Sequence, residues 1–209
     1  MVDSLPRPTP RFSPPLKCVC RAFSGTAGNR ASVRINSSTI PGPGYATVRL
    51  RRPDGTVIAG VSTGTSGFLD AVPLSVTGTY TLEIDPYAGS TGQANVTLHV
   101  FDDITGTLTI NGPTVTVTTT IPGQRGLLTF PGTATQLVTI RLTGNTMGTV
   151  SLVLRRPDGT LQVGSGSNAA SFTVPQQTLP VTGTYTIEVD PSNPLPINTG
   201  SITVAVTSP

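Results

Sequence analysis

Tryptophan is absent from this chain, histidine occurs once, cysteine twice, and charged side chains make up only 11% of its 209 residues. Each scarcity narrows the reading. A net charge of +3 spread over the chain is a weak field for nucleic acid, where clustered Lys and Arg are needed. The pI near 9.2 looks basic only because charges are few. No apolar run approaches the roughly 18 residues of a membrane span, so no membrane insertion is expected. The start of the chain lacks the charged and apolar regions of a signal peptide; if the protein is secreted, the chain is expected to be part of a longer precursor. Cys18 and Cys20 are spaced against a mutual disulfide, and no Cys-x-x-Cys or Cys/His cluster accompanies them. They read as small apolar side chains near a strand start, the alternative being a surface redox or metal role.

What is abundant is glycine (23), proline (20), threonine and serine. Gly and Pro punctuate turns while Thr, Val and Ile favour strands, so the mixture predicts many short strands joined by tight turns. The alternation supports this. Val138, Ile140 and Leu142 share one face of a strand with Thr139 and Arg141 on the other. Val33 and Ile35 flank Arg34 in the same way, and Val150, Leu152, Leu154 and Tyr185, Ile187, Val189 form two further apolar rows. One apolar and one polar face is the pattern of antiparallel sheets packed as a sandwich. No useful stretch has helical periodicity.

The chain is also written twice. Leu50-Arg51-Arg52-Pro53-Asp54-Gly55-Thr56 recurs as Leu154-Arg155-Arg156-Pro157-Asp158-Gly159-Thr160. Thr77-Gly78-Thr79-Tyr80-Thr81 recurs as Thr182-Gly183-Thr184-Tyr185-Thr186, and Glu83-Ile84-Asp85-Pro86 as Glu188-Val189-Asp190-Pro191. Phe23-Ser24-Gly25-Thr26-Ala27 matches Phe130-Pro131-Gly132-Thr133-Ala134. A period of about 105 residues is a whole domain rather than a solenoid unit. The expected architecture is therefore all-β, two tandem antiparallel β-sandwich domains of jelly-roll or immunoglobulin-like type. The expected division is a Pro-rich irregular segment over 1–16, a first copy over 17–101 and a second, complete copy over 102–209. In the second copy Thr105 to Ile110 and Val115 to Thr120 read as opening strands; the first copy has a Pro-rich stretch there instead, so it is expected to lack them. Pro-Asp-Gly predicts a tight hairpin, with Gly at φ > 0 on strand re-entry. Gly-Thr-Tyr predicts a tyrosine corner, whose hydroxyl turns back onto upstream backbone.

The order Leu128-Thr129-Phe130, Val138 to Leu142, Leu152 to Leu154, Arg156-Pro157-Asp158-Gly159-Thr160, Gly183-Thr184-Tyr185-Thr186 and Ile202 to Val206 resembles the bacterial pre-peptidase C-terminal domain, and both copies fit it. That resemblance implies an accessory module of bacterial extracellular or cell-surface proteins, serving spacing, secretion support, adhesion or substrate binding. The family often carries an acidic residue just before the strand leading to the Pro-Asp-Gly turn. Here those strands read Thr149-Val150-Ser151-Leu152 and Ala46-Thr47-Val48-Arg49, which weakens any calcium role carried over.

Chemistry is thin. His99 lies on the polar face of its strand with Asp102 and Asp103 following, but the aligned residue in the other copy is Ala205, which speaks against a His/Asp pair beside a serine nucleophile. An exposed histidine is expected. Glu83 and Asp85, and likewise Glu188 and Asp190, project two apart from the outer face of a strand, about 7 Å along it. They are expected to be solvated, with a weak calcium site as the alternative if loops such as Ser192-Asn193 add oxygens. Calcium is the one cofactor considered. Arg34, Arg49, Arg51, Arg52, Arg141, Arg155 and Arg156 form a mild basic stripe, suited to an anionic polysaccharide or cell-wall polymer if not merely solubilising. Tyr45 and Tyr87 have no counterpart in the other copy and are the candidate aromatic platforms; with Arg51 and Arg155 they complete the ligand candidates. Asn36-Ser37-Ser38 and Asn95-Val96-Thr97 match glycosylation acceptors. The expected function is a non-catalytic spacer or adhesive module in contact with polysaccharide or neighbouring domains. The alternative is a carbohydrate- or calcium-binding accessory module attached to a secreted hydrolase.

Overall fold

A computed structural model of the chain describes residues 19–40, 46–87, 90–191 and 198–209. Among these the regular structure is strand, without an α-helix. The first seven strands are β1 (Val19–Gly25), β2 (Arg30–Ser38), β3 (Ala46–Arg51), β4 (Val57–Thr63), β5 (Gly67–Pro73), β6 (Gly78–Pro86) and β7 (Ala94–Phe101). Then follow β8 (Ile104–Thr107), β9 (Val115–Thr119), β10 (Gly126–Gly132), β11 (Leu137–Thr143), β12 (Val150–Arg155), β13 (Leu161–Ser167), β14 (Ser171–Thr178), β15 (Gly183–Pro191) and β16 (Gly200–Thr207).

The duplication is structural. One sheet runs β1-β6-β3-β4 and its partner β5-β2-β7; the second half repeats these as β10-β15-β12-β13 and β14-β11-β16. Each pair closes on its own core, because alternate residues of both sheets point inward. Val33, Ile35, Val48, Leu50, Tyr80 and Leu82 belong to one core, and Ile140, Leu142, Leu152, Leu154, Tyr185 and Ile187 to the other. The second half has two strands more. β8 adds in parallel to the outer edge of β10, and β9 adds antiparallel to β16. Among the described residues no strand pairs with the corresponding edges of β1 and β7. The cost is visible in exposure: β10 alternates buried and half-buried, whereas β1 is exposed over Val19 to Ala22. The expectations for residues 1–16 and for Cys18 lie outside the described residues.

Pairing register corrects one alignment. Ser32 of β2 faces His99 across the sheet, while the equivalent Thr139 of β11 faces Thr207, and Ala205 faces Arg141. The position of His99 is thus that of Thr207, not Ala205. A slip of two residues keeps every side chain on its face, so the sequence pattern alone cannot detect it.

Candidate functional site

The repeated motifs meet at one place in each half. In the hairpin between β3 and β4, Gly55 N–H donates to Arg52 O at 2.9 Å and Arg52 N–H to Thr56 O at 2.8 Å. Gly55 has φ 85°, and the register shifts at Leu50/Arg51. Gly159, with φ 83°, repeats this with a shift at Leu154/Arg155. Asp54 Oδ1 accepts from Thr56 N–H at 2.8 Å, which holds its carboxyl below the usual range; the Asp158 carboxyl is lowered by the Thr160 hydroxyl at 2.6 Å and then by the Thr160 N–H at 2.9 Å. The proline of the turn then lies on the glycine that precedes the tyrosine corner. A Cβ at Gly78 would fall 2.8 Å from Pro53 Cγ, and one at Gly183 2.6 Å from Pro157 Cγ. Tyr80 Oη donates to Val76 O at 2.8 Å, and Tyr185 Oη to Val181 O at 2.7 Å. Each tyrosine ring stacks on Phe23 or Phe130 at 5.6 Å between centroids. The third repeated motif closes the unit, since a Cβ at Gly132 would collide with Leu179 Cδ1. The motifs that stand out in the sequence are therefore parts of one packing device.

Glu83 and Glu188 are not solvated, whereas the side chain of Asp85 is 45% exposed. The side chain of Glu83 is 11% exposed and is gripped by Arg51 and, at 2.8 Å, by Arg49. The Arg51 hydrogen bond chiefly, with Arg49, holds its carboxyl below the usual range against the opposing effect of burial. Asp85 takes the same Arg49 guanidinium at 3.1 Å. In the second half Val153 occupies the place of Arg49, and the partner comes from elsewhere in the chain. Glu188, also 11% exposed, is held by Arg155 at 3.1 Å and by Arg125, which precedes β10. The expectation of solvated carboxylates is thus corrected for Glu83 and Glu188, and that of a basic stripe for Arg49, Arg51 and Arg155, which are ion-pair partners packed across a sheet. Arg51 and Arg155 also donate to Gly55 O and Gly159 O, tying strand to hairpin. Arg156 donates to Gln162 at 2.6 Å. No group of three or more potential metal-binding side chains occurs among the described residues.

Asp190 lies opposite Ser151 without an ion pair among the described residues. Burial and then the charge of Asp70 push its pKa up to about 6, against the pull of Arg30 and Arg125. It borders a junction between the halves that sequence reasoning missed. Arg30 approaches Asp103 at 3.7 Å, and Arg125 holds the other oxygen of Asp103 at 3.0 Å. Ser32 Oγ donates to Pro122 O at 2.7 Å. Gly123, at φ 84°, passes so close that a Cβ would sit 3.0 Å from that of Ala71. Burial works against the Arg125 charge, but Asp103 and Glu188 outweigh it and raise its pKa. The available sequence signal was that Gly123 and Arg125 fall opposite Leu16 and Cys18 when Phe130 is aligned with Phe23, so the other copy has neither the glycine nor the arginine there. In a duplicated chain, such residues mark what the copies do differently.

His99 is half-buried rather than exposed, and its pKa is lowered by burial and then by Arg34. Tyr87 is 54% exposed, as an aromatic platform requires, whereas Tyr45 lies outside the described residues, as do Ser192 and Asn193. Cys20 is exposed on β1. The two glycosylation motifs sit side by side, with Asn36 Nδ2 donating to Asn95 Oδ1 at 3.3 Å and Thr97 Oγ1 at 2.9 Å.

A groove of about 730 Å³ crosses the outer face of the β14-β11-β16-β9 sheet. Its centre is Arg141, with Thr173 on one side and Ala205 on the other. The Thr139–Thr207 and Thr143–Thr203 pairs flank the Arg141–Ala205 pair on either side along the strands. Phe172 of β14 lines the same groove. This volume falls within the range of roughly 300–1,000 Å³ typical of ligand sites. A smaller depression of about 360 Å³ surrounds Arg125, Arg155 and Glu188, where the charges are already satisfied.

No family model and no curated protein matches the chain, so the pre-peptidase C-terminal likeness stays a resemblance carried by short motifs. Among solved structures the chain is similar to the CUB1-EGF-CUB2 region of human MASP-1/3 at 10% identity and a TM-score of 0.29, over 95% of this chain and 97% of that one. A likeness that slight carries no argument about function.

Proposed function

We propose that the chain is a non-catalytic spacer and interaction module of a bacterial extracellular or cell-surface protein, built from two sandwich domains over residues 17–101 and 102–209. The observation behind this reading is that every motif written twice is committed to packing. Pro53 on Gly78, Tyr80 on Val76 and Arg51 on Glu83, with their counterparts, leave the repeated positions no chemistry to spare. The junction through Arg30, Asp103, Arg125 and Ser32 supports the spacer half of the reading, because it fixes one sandwich against the next. Small-angle scattering tests it: a single maximum dimension, unchanged between low and high salt, is expected. A broad distribution of lengths would contradict a spacer. A hydrolase screen with turnover lost in His99→Ala or Glu188→Gln would contradict the non-catalytic half.

A second reading, an accessory module that recognises carbohydrate, is favoured by the threonine-lined groove around Arg141. Calcium is the less favoured ligand, since Glu83 and Glu188 each engage two arginines. Calorimetric titration with calcium should accordingly give no heat above dilution.

A further inference from the structure

We propose that the outer face of the β14-β11-β16-β9 sheet binds a carboxylate-bearing saccharide, a segment of a polyuronate, with Arg141 taking the carboxylate. The inference rests on the interaction-module reading and names the ligand class for it. Arg30, Arg49, Arg51, Arg125 and Arg155 lie within 4 Å of a carboxylate, whereas Arg21, Arg34, Arg52 and Arg156 form no ion pair among the described residues and do not line this groove. Arg141 forms neither an ion pair nor a side-chain hydrogen bond among the described residues, although it stands on an interior strand in the middle of the groove. A guanidinium offers a planar fork of donors that matches a carboxylate at two points.

Thr139, Thr143, Thr173 and Thr207 present hydroxyls that hydrogen-bond to no other described residue, and Thr203 bonds only across to Thr116 at 2.9 Å. Hydroxyls both donate and accept, which suits the alternating demands of sugar hydroxyls. Ala205 beside Arg141 leaves depth for a ring. The groove extends over three neighbouring strands and the loop at Gly112 and Thr114, so at about 4.8 Å per strand it is more than 10 Å wide. An open trough of that width fits a stretch of polymer better than a single small ion. A single cation excludes nucleic acid as the favoured occupant, because duplex binding draws on several phosphate contacts.

The test is isothermal titration of the full chain with oligogalacturonate, alongside the fully methyl-esterified oligomer, which keeps the rings and removes the charge. The acid is expected to bind and the ester to bind at least tenfold more weakly. Arg141→Ala is expected to weaken acid binding about tenfold or more, the loss of a charge-assisted hydrogen-bond pair. Arg141→Lys should lose less, and Thr203→Val with Thr207→Val should weaken binding while circular dichroism and the urea midpoint stay at the wild-type values. Arg34→Ala, the equivalent position of the first sandwich, should bind as wild type. Equal binding of acid and ester, or full binding by Arg141→Ala, overturns the assignment. Failure of either oligomer to bind also overturns it, yet leaves the spacer reading standing on the scattering result.

Discussion

Glu83 and Glu188 show how far one side chain departs from its expected setting. Both sit on the outer face of a strand, where a period of two places them, but an outer face is not always wet. Two arginine stems lie over each carboxylate and exclude water from it, leaving 11% of the side chain exposed. Removing the charge strands two guanidinium groups. Glu188→Gln is therefore expected to cost about 2–3 kcal/mol, below the roughly 3–5 of a fully buried pair because the arginines are partly open. Urea unfolding checks this; a change under 0.5 kcal/mol would mean the clamp is ornamental. The sign with pH follows from Glu83. Its folded pKa is depressed, so its contribution is present above the unfolded value near 4.5 and lost as pH falls through the folded one. Glu83→Gln should therefore flatten the acid side of the stability curve. The tyrosine corner is a smaller effect. Tyr185→Phe removes the bond to Val181 O and should cost about 1 kcal/mol.

At the scale of elements, the hairpin and the tyrosine corner are one unit, and that coupling can be measured. Gly183→Ala places a Cβ where Pro157 already sits, so the hairpin must move or the strand must shift, at about 1–3 kcal/mol. Pro157→Ala opens that space. In a double-mutant cycle, Gly183→Ala should cost at least about 1 kcal/mol less in the Pro157→Ala background; additive losses would show that the contact does not restrain the fold. The strands themselves were legible because their apolar residues alternate, and the turns because Pro, Asp and Gly each have one conformational job. The packing device was half legible: repetition marked its residues, but no spacing reveals that Pro157 lies on Gly183. Burial of Glu188 was not legible, because its partner Arg125 lies 63 residues away in sequence and the first copy uses Arg49 instead. The slip that puts His99 in the place of Thr207 was hidden for another reason, since two residues of displacement preserve every face. The groove around Arg141 was legible as a list of outward residues. That Arg141 stands in a groove without a counter-charge among the described residues needed coordinates.

At the scale of the molecule, the halves meet through charges rather than a shared apolar core, and one of those charges is poorly placed. Asp190 is drawn out of water with Asp70 of the first half near it and Glu188 on its own strand; Arg30 and Arg125 compensate only in part. Its folded pKa is raised to about 6 from an ordinary 3.8. The folded chain therefore holds this proton more tightly than the unfolded chain does, and stability falls as pH rises between those values and then levels off. The full gap corresponds to about 3 kcal/mol, and partial solvent access reduces it to about 1–2 kcal/mol. Asp190→Asn keeps the shape and removes the charge. It should stabilise the protein by about that amount at pH 7.5 and by almost nothing at pH 4, read from urea midpoints at the two values. Asp70→Asn should act in the same direction and more weakly, because it removes only the second largest contribution. An Asp190→Asn effect of equal size at both pH values would mean that its carboxylate is not what loosens the junction. The opposite sign at pH 7.5 would mean that Arg30 and Arg125 hold it as a true partner, and that the halves are locked together by one charge more than the geometry shows.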